Sequence, residues 1–145
     1  MTPSIVALVR SVVPEGRADV MLRHVASPTL NPRRLANDAA SRAEIAFALC
    51  VALFDDLLAR VPTARHYFAD VVDRDGQVRL DHGALRTVLG RNTGALPAGE
   101  SAFRRFLEPL GYEVAGIYPL DRLGMTGRAF AHVDAPETVP QFFVS

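Results

Sequence analysis

Apolar residues in the first half of the chain recur at the spacing of α-helices. One such stretch runs from Ile5 to Val13, and a second contains Val20, Met21 and His24. Residues three and four positions apart share one face of a helix, so each stretch presents an apolar stripe that packing can bury. The pattern predicts two helices near the amino terminus.

A longer helix is predicted to follow these two. Ser41 with Glu44 three residues later is a capping-box signature, and apolar residues continue at helical spacing from there to Val61-Pro62. A shorter helix is predicted over 63–72, because the next four residues, 73–76, favour a turn.

The period of the pattern changes at Gln77. From there Val78, Leu80 and His82 alternate with Arg79 and Asp81, which is typical of a strand with one buried face. We therefore predict a strand that begins at Gln77, and we expect its histidine to point inward.

The rest of the chain predicts one more helix and three more strands. The helix follows a loop from Gly90 to Gly99, is amphipathic and is stopped by Gly111. The strands are predicted over 112–118, 126–133 and 138–144. The expected fold class is therefore α+β, with a helical arm over 1–73 and a βαβββ module over 74–145 that together form one domain.

Composition narrows the class of protein. The chain has 145 residues, and its 16 basic side chains are balanced by 16 acidic ones. All the basic residues are arginines, scattered without a basic stripe, which argues against nucleic-acid binding. The longest apolar run, 45–54, is too short to span a membrane, and the amino terminus lacks the features of a secretory signal. We expect a cytoplasmic protein with neither nucleic acid nor membrane as a partner.

Cysteine chemistry offers little in this chain. Cys50 is the only cysteine and lies inside the apolar run, so one chain can form neither a disulfide framework nor a thiolate metal cluster. We expect this residue to behave as a small buried hydrophobe.

Candidate chemistry is concentrated at His82 and Arg86. A neutral imidazole is a good ligand for divalent iron or zinc, and a guanidinium matches the two oxygens of a carboxylate. If the strand continues, both side chains share a face, with Cα atoms about 13 Å apart. A shared ligand would then be an elongated diacid, unless the strand bends at Gly83. The alternative is a core histidine beside a surface arginine.

The other histidines have weaker surroundings. His24 has no carboxylate or histidine one helical turn away, and His66 has only Asp70, a spacing that is equally typical of a surface helix pair. A metal-binding cluster of His132 with the acidic residues at 134 and 137 is a further hypothesis, but that segment favours a turn. The sequence shows no nucleotide-binding or catalytic-triad pattern.

Short motifs in the second half of the chain carry a family resemblance. They are DHGALRTV at 81–88, LGY at 110–112, AGIYPL at 115–120, MTGRAFAH at 125–132 and PQFFVS at 140–145. Together they resemble the 2-oxoadipate dioxygenase/decarboxylase family, also called hydroxyglutarate synthase. The resemblance extends from about residue 74 to the last residue, and more loosely over the helical arm.

The resemblance implies a fold, an activity and two residue roles. The fold is like that of the vicinal oxygen chelate proteins, whose βαβββ modules pair to enclose one metal, here non-haem Fe(II). The activity is oxidative decarboxylation of a 2-oxo diacid to a 2-hydroxy diacid with dioxygen, in lysine degradation. By position, His82 corresponds to the first iron ligand and Arg86 to the residue that holds a substrate carboxylate; no further catalytic residue is implied.

The chain also departs from the family. Members take a second histidine and a glutamate for the iron from their second module, and we expect neither here, so a single chain is expected to be incomplete and inactive. A second-module chain or a homodimer would complete it. One alternative is a non-catalytic, single-module binding or interaction protein. Another is a lone chelate-fold module that works as a homodimer in glyoxalase-like or antibiotic-sequestering fashion.

Overall fold

The structure, a computed structural model, describes residues 1–30, 39–90 and 94–145. Part of the predicted loop from Gly90 to Gly99 therefore lies outside the described residues. The chain divides into two compact units, Met1–Asp81 and His82–Ser145. The described residues form five α-helices and one four-stranded sheet, which confirms the α+β class.

The first unit is helical. A core of apolar side chains from its first three helices includes Ile5, Met21, Phe47 and Val51. The two helices predicted near the amino terminus are present, and a break at Val13 and Pro14 separates them. The four helices are α1 (Pro3–Val12), α2 (Glu15–His24), α3 (Arg42–Arg60) and α4 (Pro62–Asp75), the last of which extends beyond its predicted range at both ends.

The predicted capping box at the start of α3 is present. The hydroxyl of Ser41 accepts the backbone N–H of Glu44 at 3.3 Å, and the carboxylate of Glu44 accepts the backbone N–H of Ser41 at 2.9 Å. The same carboxylate accepts the hydroxyl of Thr2, the residue that caps α1, at 2.5 Å. Because Glu44 is only 5% exposed, one buried carboxylate ties together the first turns of α1 and α3.

The strand predicted from Gln77 begins later in the structure. Val78 forms an isolated parallel bridge with Val25, within the first unit, and is buried there. The first strand of the sheet starts only at His82, in the second unit. Val78 and Leu80 pack with the helices, whereas His82 begins the sheet. The apparent alternation through these three residues therefore does not belong to one strand.

The second unit follows the order strand, helix, strand, strand, strand. The strand order across the sheet is β1-β4-β3-β2; β1 pairs with β4 in parallel, and the other neighbours are antiparallel. The elements are β1 (His82–Leu85), α5 (Ser101–Leu107), β2 (Tyr112–Leu120), a short 3-10 helix (Asp121–Leu123), β3 (Met125–His132) and β4 (Gln141–Val144).

Two boundaries differ from the prediction for local reasons. β4 begins at Gln141 because the backbone N–H groups of Thr138 and Val139 both donate to the carbonyl of Ala135 and stay in the preceding turn. α5 ends at Leu107, short of Gly111, although that glycine does adopt the left-handed conformation with φ of 93°. At both places the backbone groups form turn hydrogen bonds, and these compete with the hydrogen bonds that would continue the strand or the helix.

One face of the sheet is covered and holds the core of this unit. Contacts across it come from α5 and the residue before it: Glu100, the N-cap of α5, pairs with Arg128 of β3, and the guanidinium of Arg104 lies 5.8 Å from the centre of the Phe130 ring. The Tyr112 hydroxyl donates to the carbonyl of Pro140 at 3.0 Å. The fully buried side chains on this face or against it are Leu107, Tyr112, Phe130, His132, Phe142 and Val144.

The carboxylate of Glu44 gives a first testable prediction. We expect Glu44→Ala to lower the free energy of unfolding of the first unit by about 2 kcal/mol, because the hydrogen-bond donors of Thr2 and Ser41, which are half-buried, lose their acceptor. Urea unfolding followed by far-ultraviolet circular dichroism measures this. The matched control is Glu15→Ala, an exposed helix-start glutamate, which should cost less than about 1 kcal/mol. Equal losses in the two variants would contradict the role given to Glu44.

Candidate functional site

The other face of the sheet is the candidate site, and strand register defines its members. Register partners project to the same side of a sheet, so His82 shares its side with Gln141, and Ala84 shares its side with Phe143. The antiparallel pairs extend this side across Ala129 to β2. We call this set the open face: His82, Ala84, Arg86, Glu113, Gly116, Tyr118, Leu120, Met125, Gly127, Ala129, Ala131, Gln141 and Phe143.

His82 lies on the open face and is exposed, so the expectation that it points inward was wrong. The reason lies in its neighbour. A Cβ added to Gly83 would fall 2.6 Å from a ring carbon of Phe142, a core residue. Gly83 therefore faces the covered side of the sheet. Strict alternation then turns the histidine side outward.

Arg86 shares the open face with His82. β1 is assigned only to Leu85, but pairing with the last residue continues: Ser145 N–H donates to the Leu85 carbonyl at 3.1 Å, and Thr87 N–H donates to the Ser145 carbonyl at 2.7 Å. Alternation therefore persists through Arg86, which is exposed. On an ideal strand, four residues of extended chain separate two Cα atoms by about 13 Å.

The guanidinium of Arg86 does not stay above its own strand. Nη1 contacts the sulfur of Met125, the first residue of β3. Arg86 lies beside Ser145, just beyond β4, and β3 continues past this row to Met125, so the arginine side chain extends past the end of β4 to make this contact. The positive charge is thus carried away from β1 and lies beside a polarizable thioether.

Two aromatic rings cover part of the open face. The ring of Phe143 lies over Gly127, where an added Cβ would fall 2.7 Å from its Cε1 atom, and Tyr118 lies over Gly116, where an added Cβ would fall 2.8 Å from its hydroxyl. The two ring centres are 6.0 Å apart. Glycine at both strand positions lets the rings lie along the sheet, which makes a shallow apolar floor.

The donor set on the open face fits a metal only in part. His82 is an accessible imidazole of the kind that iron and zinc bind. Within 1–30, 39–90 and 94–145, however, no group of three or more histidine, cysteine, aspartate or glutamate side chains is placed to hold a metal ion. His82 therefore fits as one ligand of a shared site, and the described residues alone do not form a metal centre.

The alternative cluster around His132 is not formed. This histidine is fully buried and lies edge-on against Tyr112 with ring centres 5.3 Å apart, and its Nδ1 accepts the backbone N–H of Asp134 at 3.2 Å. The side chains of Asp134 and Glu137 belong to an exposed turn. The histidine therefore stabilises the turn after β3 from the covered side of the sheet, because its side chain points into the core.

The remaining histidines and the cysteine have simple structural settings. Nδ1 of His24 lies 3.1 Å from the carbonyl of Gly76, and its ring meets the ring of Phe68 edge-on, so it links α2 to the end of α4. His66 is exposed on α4. Cys50 is buried in α3, as predicted. Among the described residues, no helix is long and apolar enough to cross a membrane.

Comparisons with known proteins give one informative match. No family model matches the sequence, and no curated protein does. A crystal structure of a protein from Ralstonia eutropha JMP134, provisionally assigned to the glyoxalase superfamily, is 52% identical, with a TM-score of 0.92. The match covers 99% of this chain and 45% of that chain. This chain therefore spans less than half of the length of the solved protein.

This likeness has a definite scope. Together with the α+β fold, it supports the glyoxalase, or vicinal oxygen chelate, superfamily for this chain. It does not distinguish the 2-oxoadipate dioxygenase family within that superfamily.

Sequence reasoning missed three residues of the open face: Met125, Gln141 and Phe143. Their positions follow from pairing between strands that are distant in the chain. The one local signal is glycine inside a strand, at Gly116 and Gly127, which marks a place where another group approaches closely. That signal does not say which side chain approaches.

The apolar floor of the open face gives a second prediction. An apolar sheet face in water is an association surface, so we expect the isolated chain to self-associate at micromolar concentrations and to bind a hydrophobic dye. Tyr118 is 51% exposed, and Tyr118→Asp should weaken both effects. The control is Tyr67→Asp, on a 66% exposed tyrosine of α4. Sedimentation and dye fluorescence measure the outcome, and a monomer that binds no dye would contradict it.

Proposed function

We propose that this chain forms one half of the active site of a non-haem Fe(II) dioxygenase that oxidatively decarboxylates a 2-oxo diacid, such as 2-oxoadipate, to a 2-hydroxy diacid. One observation carries the proposal: His82 and Arg86 lie on the same open face of one sheet. A metal ligand and a carboxylate-binding group at this separation suit a substrate with an oxo acid at one end and a carboxylate at the other.

His82 is proposed to donate one imidazole nitrogen to the iron. Its exposure on the open face leaves the ring accessible to a metal that is shared with other ligands. When bound, the iron would supply activation of dioxygen and a Lewis-acidic centre for the oxo acid. The register partner of this histidine, Gln141, lies beside it on the next strand and offers an amide that could orient the ring or the substrate.

Arg86 is proposed to bind the distal carboxylate. A guanidinium presents paired N–H donors that match two carboxylate oxygens, and such charge-assisted bonds are about twice as strong as neutral ones. The contact with Met125 places this group over β3, away from the histidine. The two ends of the diacid would thus be held by different strands, with an apolar surface between them.

The remaining iron ligands are proposed to come from a second module, either as a separate chain or as a further part of the same protein. The fraction of the Ralstonia protein that this chain matches, 45%, leaves room in such a relative for that module. A homodimer is a weaker choice, because two copies of His82 supply two imidazoles and no carboxylate. A place in lysine degradation remains a prediction from the family resemblance, and a cytoplasmic location remains a prediction from the sequence.

A second candidate function is a single-module binding protein without catalysis. The specific observation in its favour is that the described residues include no group that could hold a metal ion by themselves, whereas Arg86 and the apolar floor are already assembled. Such a protein would bind anionic ligands on the open face. Activity measurements separate it from the dioxygenase.

Catalysis gives the third prediction. The 145-residue chain, loaded anaerobically with Fe(II) and then exposed to oxygen, should release little or no CO₂ from 2-oxoadipate, since a single imidazole holds iron weakly. A chimera that joins this chain to the part of the Ralstonia protein beyond the match should form the 2-hydroxy diacid. The same chimera with His82→Ala is the control and should be inactive. Robust turnover by the chain alone would refute this ligand set.

The two site residues are expected to fail in different ways, which is the fourth prediction. In the chimera, His82→Ala should lower iron occupancy, measured by metal analysis after anaerobic loading. Arg86→Ala should keep its iron but bind the diacid about 2 kcal/mol more weakly, because a charge-assisted contact is lost. The control is Arg105→Ala, an exposed arginine of α5, the helix that packs on the covered face. Equal loss of iron from the His82 and Arg86 variants would overturn the assigned roles.

A further inference from the structure

The position of the Arg86 guanidinium depends on a residue from another strand. Its Nη1 atom contacts the sulfur of Met125 at the start of β3, and the side chain reaches it by passing the end of β4 beside Ser145. A long exposed side chain has many rotamers, so a contact that holds its end reduces the entropy lost when a ligand binds. Met125 is thus placed to act on a ligand through the arginine.

Phe143 lies between this guanidinium and His82. It is the β4 register partner of Ala84, which is the residue midway between His82 and Arg86 on the same side of β1. Its ring leans over Gly127 of β3, toward the end of the sheet where Met125 lies. A ligand that reaches from His82 to the guanidinium therefore passes over small alanine side chains and the face or edge of one aromatic ring.

We propose that Met125 and Phe143 make this part of the open face specific for a carboxylate carried on an unbranched alkyl chain. Met125 is a positioning residue that holds the Arg86 guanidinium over β3, and Phe143 packs against the methylene groups that precede the carboxylate. This inference deepens the proposed function and rests on it for the identity of the other end of the ligand.

Physical chemistry determines which ligands such a surface rejects. A ligand without the distal carboxylate leaves the guanidinium without its anionic partner, so it gains nothing from the positioning by Met125. A chain that carries hydroxyl groups must give up water hydrogen bonds where it meets the Phe143 ring, and the ring returns none. An alkyl diacid is the class that satisfies both groups.

The test of Met125 compares two ligands that differ only in the distal carboxylate. Nuclear magnetic resonance titrations of the metal-free chimera with 2-oxoadipate and with 2-oxohexanoate give the affinity ratio of diacid to monoacid. We expect the diacid to bind roughly tenfold more tightly. Met125→Ala should reduce this ratio several-fold, whereas Met125→Leu, which keeps most of the side-chain volume, should keep most of it. A ratio that is the same in wild type and Met125→Ala would overturn the positioning role.

The test of Phe143 compares two six-carbon diacids of the same charge. Wild type should bind adipate more tightly than galactarate, which carries hydroxyl groups on its four middle carbons. Phe143→Ala should bring the two affinities together, and Phe143→Leu should preserve the preference. The control is Leu123→Ala, on a 67% exposed leucine of the 3-10 helix, which should leave both ratios unchanged. A preference that survives in Phe143→Ala would overturn the role of this ring.

These titrations require neither iron nor turnover, so they separate the two proposals. If the affinity ratios change as expected but the chimera is inactive, the result supports this specificity and refutes the dioxygenase. Turnover by the chimera combined with unchanged ratios in the Met125 and Phe143 variants would do the reverse. If 2-oxoadipate perturbs no resonance of the open face, the inference fails.

Discussion

The parallel pairing of β1 with β4 is the interaction on which the candidate site depends. Its register places Gly83 against the ring of Phe142 on the covered face and therefore turns His82 to the other side. A slip of one residue would exchange the two faces of β1 and send both site residues into the core. The close approach of a ring to a glycine, which no other residue would permit without a shift, opposes such a slip.

The two faces of this sheet carry different kinds of side chain. Its covered face holds the buried aromatic side chains Tyr112, Phe130 and Phe142 and receives α5 through an ion pair and a cation–π contact. Its open face carries small residues, two aromatic rings and the candidate site residues His82 and Arg86. Because strand side chains alternate, one set of strands builds the core with half of its residues and presents the other half on the open face.

The side chains of the open face are also the reason for proposing a site that is shared with a second module. A single accessible imidazole is a poor metal centre, and among the described residues no group of three or more potential metal-ligating side chains is placed to hold an ion. The Arg86 guanidinium and the apolar floor, by contrast, are already assembled on this face. The half-site reading is consistent with a match that covers under half of the solved Ralstonia protein.

Local sequence determined the helices of the first unit, the capping box at Ser41, the α+β class and the order of elements in the second unit, because propensity, period and capping act over a few residues. It also placed His82 and Arg86 on one face, since alternation is local. It could not decide which face that was, because the choice depends on Phe142, which is far along the chain. Only tertiary pairing carried the Arg86 guanidinium to Met125 and placed Phe143 between the two site residues, and it removed His132 from the candidates by burying it against Tyr112.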